Sequence, residues 1–436
     1  MNLYGREISR PNEMTTTTAT DPKASVQHLL DGSHWTHSDE ALELFQGLPI
    51  PGTKTEAWKY TRVARLFGEP FEVPRNDGLI ALPERLPFSA LRIVFLNGRF
   101  RKDLSDDILS ADNRLRLDLA AMAAARNPKV AALPRTIGDV QDHFFTAMNA
   151  AKPTDGLFIH VEANYCPSIP IHILHIARDG HQLMQPRDIV WLDEGASLEL
   201  IIEHIAINGK TSLLNCVREF VVGQDARLTV HKVQHEVNGP AHISQESVIV
   251  HGRGTFSMDT TTIEGDLVRN NVHVQLVGPE AHAELNGVYL LNGTTHCDNH
   301  TYIGHDVPDC TSDELYKGII AEKGTGVFNG KVYVKQDAQR TRAYQSNANI
   351  LQGDDARIFT KPELEIYADD VKCSHGCTIG RLDEKGLFYL RSRGVSEAEA
   401  RKMLSHAFMT DVLERITNED WRKHLASLID AKLEAL

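Results

Sequence analysis

The sequence predicts a mainly β protein in which a β-solenoid is flanked by helical regions. From about residue 156, short β-rich runs such as 157–161 and 327–334 replace helical periodicity for over 200 residues. Turns that contain small residues recur along this stretch, mostly every 27–30 residues. Helical patterns long enough to connect parallel strands are missing from it, which argues against a Rossmann fold or an α/β barrel.

The recurrence is the main argument for stacked rungs. The small residues that mark it are separated by 30, 28, 27, 45 and 30 residues; they are Ala196, Ala226, Gly254, Ala281, Gly326 and Ala356. A unit of this length cannot bury its own apolar face, so successive units must stack. We expect the 45-residue step to hold an insertion at 307–317. A large β-sandwich, whose turns would also recur, is the alternative on pattern alone.

The first 150 residues predict a mainly helical region behind a polar leader. Residues 1–20 contain four successive threonines, lack the apolar segment of a secretory signal and predict disorder, with Met14 as an alternative start. The segment 92–98 predicts a strand that runs into a turn. Apolar residues at helical spacing predict three helices, marked by Ala41, Leu42, Leu44 and Phe45; by Leu115, Leu117, Leu119 and Met122; and by Phe144, Phe145 and Met148.

Helical signals return after residue 380. Asp383 is placed to cap a helix that Gly394 ends, and Ser396 with Glu399 forms a capping box, in which hydroxyl and carboxylate satisfy free backbone donors reciprocally. Two apolar stripes follow, formed by Ala400, Met403, Leu404, Ala407 and Phe408, and by Trp421, Leu425, Leu428 and Ile429. This apolar surface exceeds what one short bundle requires. It predicts a cap over the end of the solenoid, a docking surface for a partner, or both.

The charge and cysteine content limit the partners and the compartment. The chain has 46 Lys+Arg against 59 Asp+Glu, a net charge of -13, which disfavours nucleic acid and anionic membranes as partners. Six cysteines in 436 residues do not make a disulfide framework. The longest apolar run, seven residues at 119–125, is too short to span a membrane. We expect a soluble cytoplasmic protein whose thiols stay reduced.

Two glycine–lysine pairs come close to a phosphate-binding loop without completing one. Gly330-Lys331 has Thr325 where the first glycine belongs, and Gly209-Lys210-Thr211 has His204 there. Neither segment can wrap backbone amides around a nucleotide phosphate and also supply a magnesium ligand. The chain is therefore not expected to be a P-loop ATPase.

Potential metal ligands concentrate at 296–300 (His-Cys-Asp-Asn-His) and again at His305, Asp306 and Cys310. Imidazole and thiolate are good ligands for zinc or iron. Their spacing matches no zinc finger, however, and successive loops of a solenoid place such residues on different faces. We expect ordinary rung and loop positions here rather than a metal site.

A sharper pattern is the alternation of Cys373, His375 and Cys377 within the run 371–379. On a strand these three residues share a face, with neighbouring Cβ atoms about 7 Å apart, too far for all three to close easily on one ion. An edge strand of this kind suits a site that a second protein completes, and Lys372 beside Cys373 would favour its thiolate. The alternative is that Val371, Cys373, His375 and Ile379 simply face the solenoid core.

The run 361–376 (KPELEIYADDVKCSHG) resembles SufD-type members of the SufB/SufD family, which belong to the SUF machinery for iron–sulfur cluster assembly. The SufB-type motif has a glutamate beside its histidine and lacks the Cys-Ser-His-Gly run. Further matches lie at 387–394, His305, Pro308, Cys310, Ser312, Tyr316-Lys317-Gly318, 326–331 and Ala338-Gln339, and at Glu56, Trp58, Tyr60 and Thr61 in the N-terminal segment. The resemblance is dense from about residue 300 to 408 and thin before that.

For the fold, the resemblance implies a right-handed parallel β-helix between two helical domains. Residues 1–20 would be a disordered leader and 21–150 a mainly helical N-terminal domain. Residues 151–380 would form the β-helix core, and 381–436 a C-terminal helical domain that docks an ATPase partner.

For function, the resemblance implies a non-catalytic scaffold subunit of a SufB–SufC–SufD complex, in which SufC hydrolyses ATP. The chain would pair with SufB, or with a second copy of itself when isolated. ATP-driven dimerisation of SufC would pull on the C-terminal helices and open the SufB interface. The residues expected to dock SufC are Phe388, Tyr389, Arg393, Met403, Leu404 and Phe408. The implied cofactor is a transient iron–sulfur cluster shared with SufB, and this chain would bind no nucleotide.

The family's motif histidine and cysteine fall on His375 and Cys373, which are therefore the expected metal ligands at the interface where nascent clusters form. Cys377 stands where the family usually has a small residue such as alanine. It is either an extra thiol ligand or a small apolar substitute, and we favour the second. Two other functions stay open: a purely structural scaffold that positions SufC, and a stand-alone β-helix enzyme acting on a polysaccharide or an acyl donor.

Overall fold

The computed structural model describes residues 23–30, 38–76, 78, 80–107, 114–127, 129–130, 144–209 and 211–434. The leader predicted for residues 1–20 lies outside these ranges. The α-helices described are α1 (Ala24–Leu30), α2 (Ser38–Gly47), α3 (Ala120–Arg126), α4 (Phe144–Ala151), α5 (Glu384–Ser392), α6 (Glu397–Leu413) and α7 (Glu419–Glu434). The strands are β1 (Leu91–Leu96), β2 (Arg99–Phe100), β3 (Leu115–Leu119), β4 (Leu157–Val161), β5 (Ile171–Arg178), β6 (Leu183–Met184), β7 (Arg187–Leu192), β8 (Ser197–Ile207), β9 (Leu213–Val222), β10 (Arg227–His235), β11 (Ala241–Val250), β12 (Thr255–Glu264), β13 (Leu267–Leu276), β14 (His282–Leu291), β15 (His296–His305), β16 (Thr311–Ala321), β17 (Thr325–Val334), β18 (Thr341–Gln352), β19 (Arg357–Ile366) and β20 (Val371–Gly380).

The strands form a parallel β-solenoid of about 8 turns. The first sheet has the order β2-β1-β5-β8-β10-β12-β14-β16-β18-β20, and the second has the order β19-β17-β15-β13-β11-β9-β7-β4-β3, with β6 beside β9. From β7 onward the chain alternates between the sheets, so each strand pairs in parallel with the strand two places away in sequence order. This pairing confirms the solenoid and excludes the β-sandwich alternative, whose sheets are antiparallel.

The expected insertion at 307–317 is wrong. Thr311 is in register with His282 on one side and with Arg342 on the other, so β16 is an ordinary rung strand. The corner before it carries Cys310, which is fully buried and fills the place that small residues take at the other corners. The 45-residue step arose because the recurrence skipped this cysteine and then continued on Gly326, which is the second residue of β17 in the other sheet.

The corners that precede the first-sheet strands share one local geometry. A residue with positive φ stands directly before the small buried residue at five successive corners, and these residues are Asp225, Arg253, Glu280, Asp309 and Arg340. This left-handed conformation is uncommon for residues other than glycine, so its recurrence shows that the same corner geometry repeats along the stack. Ion pairs between adjacent corners, Arg253 with Asp225 and Arg340 with Asp309, reinforce the register.

The N-terminal region is only partly helical, because it contributes strands to both sheets. The strand predicted at 92–98 is confirmed: β1 pairs in parallel with β5, and positive φ values at Asn97 and Gly98 form the turn. The helix predicted from Leu115 is wrong up to Leu119. Those residues form β3, antiparallel to β4, and the helix begins at Ala120. The leucines recur every second residue, which is the period of a strand.

The remaining N-terminal helices cover the second sheet. Aromatic side chains of α2, α4 and the short helix Ala64–Phe67 pack together on Leu213, Ile243 and Leu267 of that sheet. Phe67 meets Phe144 edge to face at 5.6 Å between ring centroids. Each such aromatic pair adds about 0.5–1.5 kcal/mol beyond the area it buries. The N-terminal segment is thus fixed to the solenoid rather than linked loosely to it.

Helix α5 begins and ends, and helix α6 begins, where their capping residues predict. The Asp383 side chain accepts a hydrogen bond from the Lys385 amide at 3.0 Å, and Ser396 Oγ accepts one from the Glu399 amide at 3.2 Å. Gly394 has a φ of +89°, which ends α5 at little steric cost.

The C-terminal helices α6 and α7 lie along the outer face of the first sheet rather than over the end of the solenoid. Met409, Val412 and Leu413 of α6 and Trp421 and Ile429 of α7 are buried there. Their partners are outward-facing residues of successive rungs, which include Ile201, Val233, Ile263, Val288 and Ile319. The interpretation of this domain as an end cap is therefore wrong, and the last rung stays exposed.

Candidate functional site

The last rung leaves strand edges open. Among the described strands, β20 pairs only with β18, and β19 only with β17. Residues of β18 alternate between buried and exposed along most of the strand, whereas almost every residue of β20 is exposed. The backbone donors and acceptors on the free edge of β20 can therefore pair with another chain.

The predicted row lies at this open end. Cys373, His375 and Cys377 are in register with Ala343, Gln345 and Asn347 of β18, whose side chains are fully or almost fully buried in the solenoid interior. Register partners in a parallel ladder share a face, so the row continues the inward-facing rows. Both interpretations of the sequence hold in part: the row points toward the core, but no further rung of the described chain covers it. His375 and Cys377 are exposed, and Cys373 is half-buried.

The row does not form a closed three-ligand site. Side chains two residues apart on one strand are about 7 Å apart, by twice the rise of a strand. The group of three ligands that the described residues do bring together, His204, Cys216 and His242, lies elsewhere, inside the solenoid. The edge of β20 can therefore supply one or two ligands to an ion, and other ligands must come from a facing molecule.

The expectation that Lys372 favours the Cys373 thiolate is wrong. Burial raises the pKa of Cys373, and a hydrogen bond with the backbone of Ala343 offsets this only in part. Lys372 and Cys373 are successive strand residues and point to opposite faces. Cys373 is therefore a thiol near neutral pH, and a metal ion must displace its proton before the sulfur can coordinate.

A buried carboxyl group lies two rungs below His375. Gln345 is the register partner of His375, and its Nε2 donates a 2.6 Å hydrogen bond to Oε2 of Glu314. Burial raises the pKa of Glu314 to about 7. Sequence reasoning missed this residue; its signal was a glutamate at an inward position of a strand, at Ser312-Asp313-Glu314. The interior beneath the site thus holds a group that titrates near neutral pH.

The residues expected to dock an ATPase fall into two groups. Phe388, Tyr389 and Met403 are 75%, 57% and 45% exposed, and Arg393 is exposed beside the Tyr389 ring at 5.3 Å. In contrast, Leu404 and Phe408 are half-buried against the cluster that fixes α6 to the sheet. Helix α5 itself buries no residue. The exposed apolar surface is therefore centred on α5.

The cluster at 296–300 serves to hold the N-terminal segment. Cys297 points into the solenoid and is fully buried, while His296 and Asp298 point outward and both hydrogen-bond to Thr61. His305 hydrogen-bonds to Ser312 at the other end of β15. The ligands are thus divided between faces, as expected, and the described residues hold no three-ligand group here.

Comparison with known proteins agrees with this architecture. Residues 35–173 match the family described as SufBD protein N-terminal region, and residues 175–408 match SUF system FeS cluster assembly, SufBD core domain. The chain belongs to the SufBD family. It is 29% identical over 419 residues to the iron–sulfur cluster assembly protein SufD of Escherichia coli (strain K12), which covers 93% of this chain and 95% of that protein.

Other SufBD relatives match over similar lengths. An iron–sulfur cluster assembly SufBD family protein of Synechocystis is 31% identical over 394 residues, 86% of each chain. The iron–sulfur cluster assembly protein SufD of Bacillus subtilis (strain 168) is 24% identical over 419 residues, 91% of this chain and 93% of its own. The chain is thus a SufBD-family iron–sulfur cluster assembly protein and a homologue of SufD. None of its described helices is long and apolar enough to cross a membrane.

Proposed function

We propose that this chain is the SufD-like subunit of a cytoplasmic SufB–SufC–SufD scaffold, and that the exposed edge of β20 is its half of the interface on which nascent clusters form. One observation carries the proposal: the solenoid ends in an open rung that presents His375 to solvent. Membership of the SufBD family supports a role in iron–sulfur cluster assembly, and the open rung is where we locate that role on this chain.

The free edges of β19 and β20 support pairing with a second solenoid. Each edge presents a row of unpaired backbone groups, and a paralogue with the same fold would present matching edges. Joining two such ends would cover the exposed inward row and enclose His375 between the subunits. In the absence of SufB, two copies of this chain would use the same edges to form a homodimer.

His375 is the first ligand that we assign at this interface. Its imidazole is exposed, and imidazole is a good ligand for iron. Cys373 is the second candidate, since coordination of iron would remove the proton that burial holds on its sulfur. Cys377 is exposed and lies farther along the row, where it is available as an extra ligand. The remaining ligands would come from SufB, so the cluster is a cargo shared between the subunits.

The exposed surface of α5 supports docking of the ATPase. Phe388 and Tyr389 form an apolar patch beside a cleft of about 420 Å³ that Arg391 and Arg401 also line. Only three residues, 381–383, separate the end of β20 from the start of α5. A SufC molecule bound there would be coupled to the cluster interface through the chain itself, while hydrolysis of ATP would remain in SufC.

Co-expression with SufB and SufC homologues tests the proposal. His375→Ala should leave the three-protein complex intact but abolish cluster accumulation, measured by visible absorbance and by iron and sulfide content. His251→Ala, at an exposed corner of the solenoid, is the matched control and should load normally.

Cys373→Ala and Cys377→Ala rank the two thiols. Normal loading of the His375→Ala complex would refute the ligand assignment. If Cys373→Ala also loaded normally, the chain would be a purely structural scaffold. Activity of the isolated chain on a polysaccharide or an acyl donor would instead support a stand-alone enzyme.

A further inference from the structure

The interior of the solenoid contains a polar cluster far from the open end. His175 on β5 and His204 on β8 are register partners whose rings stack at 4.6 Å between centroids. The His204 ring also lies 4.4 Å from that of His242 on β11, and Cys216 on β9 completes the group. All four side chains are buried. Four strands of both sheets thus bring imidazole and thiol groups to one place.

We propose that His204, Cys216 and His242 bind a single divalent metal ion of borderline softness, such as Zn²⁺ or Fe²⁺. One ligand atom from each of the three residues lies within 4.8 Å of the other two. Two histidines and one cysteine form a set that suits these ions, with a fourth position left for a water molecule or another ligand. This site is separate from the β20 edge and does not depend on the proposed function of that edge.

His242 is held ready to coordinate. Its Nδ1 lies 2.7 Å from Oε2 of the buried Glu236, so the carboxylate fixes the proton on Nδ1. The lone pair of Nε2 is then free, and this fully buried atom has no hydrogen-bond partner among the residues that the structure describes. A carboxylate behind a histidine is the usual support of a metal ligand, because it fixes the tautomer and orients the ring.

His204 is held by Arg218. Nη2 of Arg218 donates to Nε2 of His204 at 3.1 Å and to Nε2 of His175 at 3.3 Å. If His204 coordinates a metal ion, Arg218 therefore loses its hydrogen bond to His204. The guanidinium keeps its two carboxylate partners, Asp188 at 3.2 Å and Glu246 at 3.1 Å. The cation thus remains neutralised when the histidine turns to a metal ion.

The charges around the cluster leave room for a cation. Arg218 pairs with Asp188 and Glu246, and Lys232 also pairs with Glu246. The third carboxylate, Glu236, pairs with His242. Two cations and three carboxylates leave one negative charge in excess when all are ionised. A divalent ion that binds a thiolate adds one net positive charge, so the occupied interior is neutral. Neutrality matters in this interior because an uncompensated buried charge is strongly unfavourable.

Cys216 would lose its proton only on coordination. Burial raises the pKa of its thiol to about 12, so the metal-free side chain is protonated and inert near neutral pH. When the ion binds, the metal–sulfur bond forms, the S–H bond breaks, and the proton passes to solvent. Because the ligands are buried on all sides, the ion would enter while the chain folds.

The test is to unfold the full-length protein in urea that contains a chelator, and then to refold it with Co²⁺ after the chelator has been removed. Both metal content and the near-ultraviolet band of a thiolate–Co²⁺ bond are measured. The Cys373→Ala/His375→Ala/Cys377→Ala background removes the edge ligands. In this background we expect about one Co²⁺ per chain with the thiolate band, the stoichiometry of a single three-ligand site.

Cys216→Ser should abolish the band and most of the bound metal. Cys297→Ser is the matched control, since Cys297 is also fully buried, faces the interior and has a pKa of about 12. It should retain both signals. Glu236→Gln should weaken metal affinity by about 10–100-fold, the usual effect of removing the partner of a ligating histidine.

Two outcomes would overturn the proposal. One is that the background protein, once refolded to the circular dichroism spectrum of the native chain, retains no Co²⁺. This result does not depend on whether the further variants fold. The other is that the thiolate band survives in Cys216→Ser or disappears in Cys297→Ser. Neither outcome bears on cluster loading at His375, which is measured separately in the three-protein complex.

Discussion

Replacing Glu314 with glutamine removes a buried carboxyl group, two rungs below His375, whose pKa lies near neutral pH. Burial raises its pKa from the usual 4.5 to about 7. The native protein therefore holds this proton between about pH 4.5 and 7, while the unfolded chain has already lost it. Because the native state binds more protons in this window, its stability falls as the pH rises through it.

The size of the effect follows from the two pKa values. At 1.36 kcal/mol for each pH unit, the difference between 4.5 and about 7 corresponds to about 3 kcal/mol. Glutamine does not ionise and carries no such penalty. The free energy of unfolding of Glu314→Gln, relative to that of the wild type, should therefore increase by up to about 3 kcal/mol between pH 4.5 and pH 8.

Urea unfolding followed by circular dichroism at pH 5, 6, 7 and 8 measures this difference through the midpoint and the slope. Asp354→Asn, whose side chain is 95% exposed, controls for the loss of a solvated carboxylate. The reasoning would be refuted if the difference in free energy of unfolding between Glu314→Gln and the wild type stayed constant across this pH range. Native and unfolded Glu314 would then have the same pKa.

Three further predictions concern packing, capping and docking. Gly287→Ala would place a Cβ 2.2 Å from the ring of Tyr316. It should therefore lower the free energy of unfolding by about 1–3 kcal/mol, which is measured as a lower urea midpoint. Gly376→Ala is the control and should leave the midpoint unchanged, because its Cβ meets nothing within 4 Å. Ser396→Ala removes the cap of α6 and should cost about 1 kcal/mol in the same assay, and an unchanged midpoint would show that the capping bond contributes nothing. Phe388→Ala should not alter the midpoint, because the side chain is 75% exposed, but should reduce co-purification of SufC; undiminished co-purification would move the docking surface elsewhere.

The sequence alone predicted correctly those features that depend on neighbouring residues or on the recurrence of turns every 27–30 residues. Asp383 and Ser396 cap their helices as expected, because a cap depends on groups two or three residues away. The solenoid followed from its recurrence of turns. The same recurrence misled at Cys310, since a buried cysteine there takes the place of alanine or glycine and was not counted as small.

The features that sequence could not predict depend on register and on packing between distant segments. His204, Cys216 and His242 come from three strands, and only the alignment of successive rungs brings them together. The apolar stripe of α6 was assigned to one face, yet Met403 is 45% exposed while Met409 is buried. Helical spacing shows which residues share a side, but not which side the sheet will cover.

The position of the C-terminal helices has a consequence for biosynthesis. The rung faces that α6 and α7 cover are synthesised well before the residues that cover them. Asn418, for example, hydrogen-bonds to Glu199, 219 residues before it. At about 5–20 residues per second, the outward apolar side chains of the early rungs, such as Ile201 and Val233, would wait about 10–40 s on the ribosome before they are covered. The nascent chain is therefore most prone to aggregate in that interval. A truncated chain that lacks α6 and α7 would leave these apolar side chains exposed permanently.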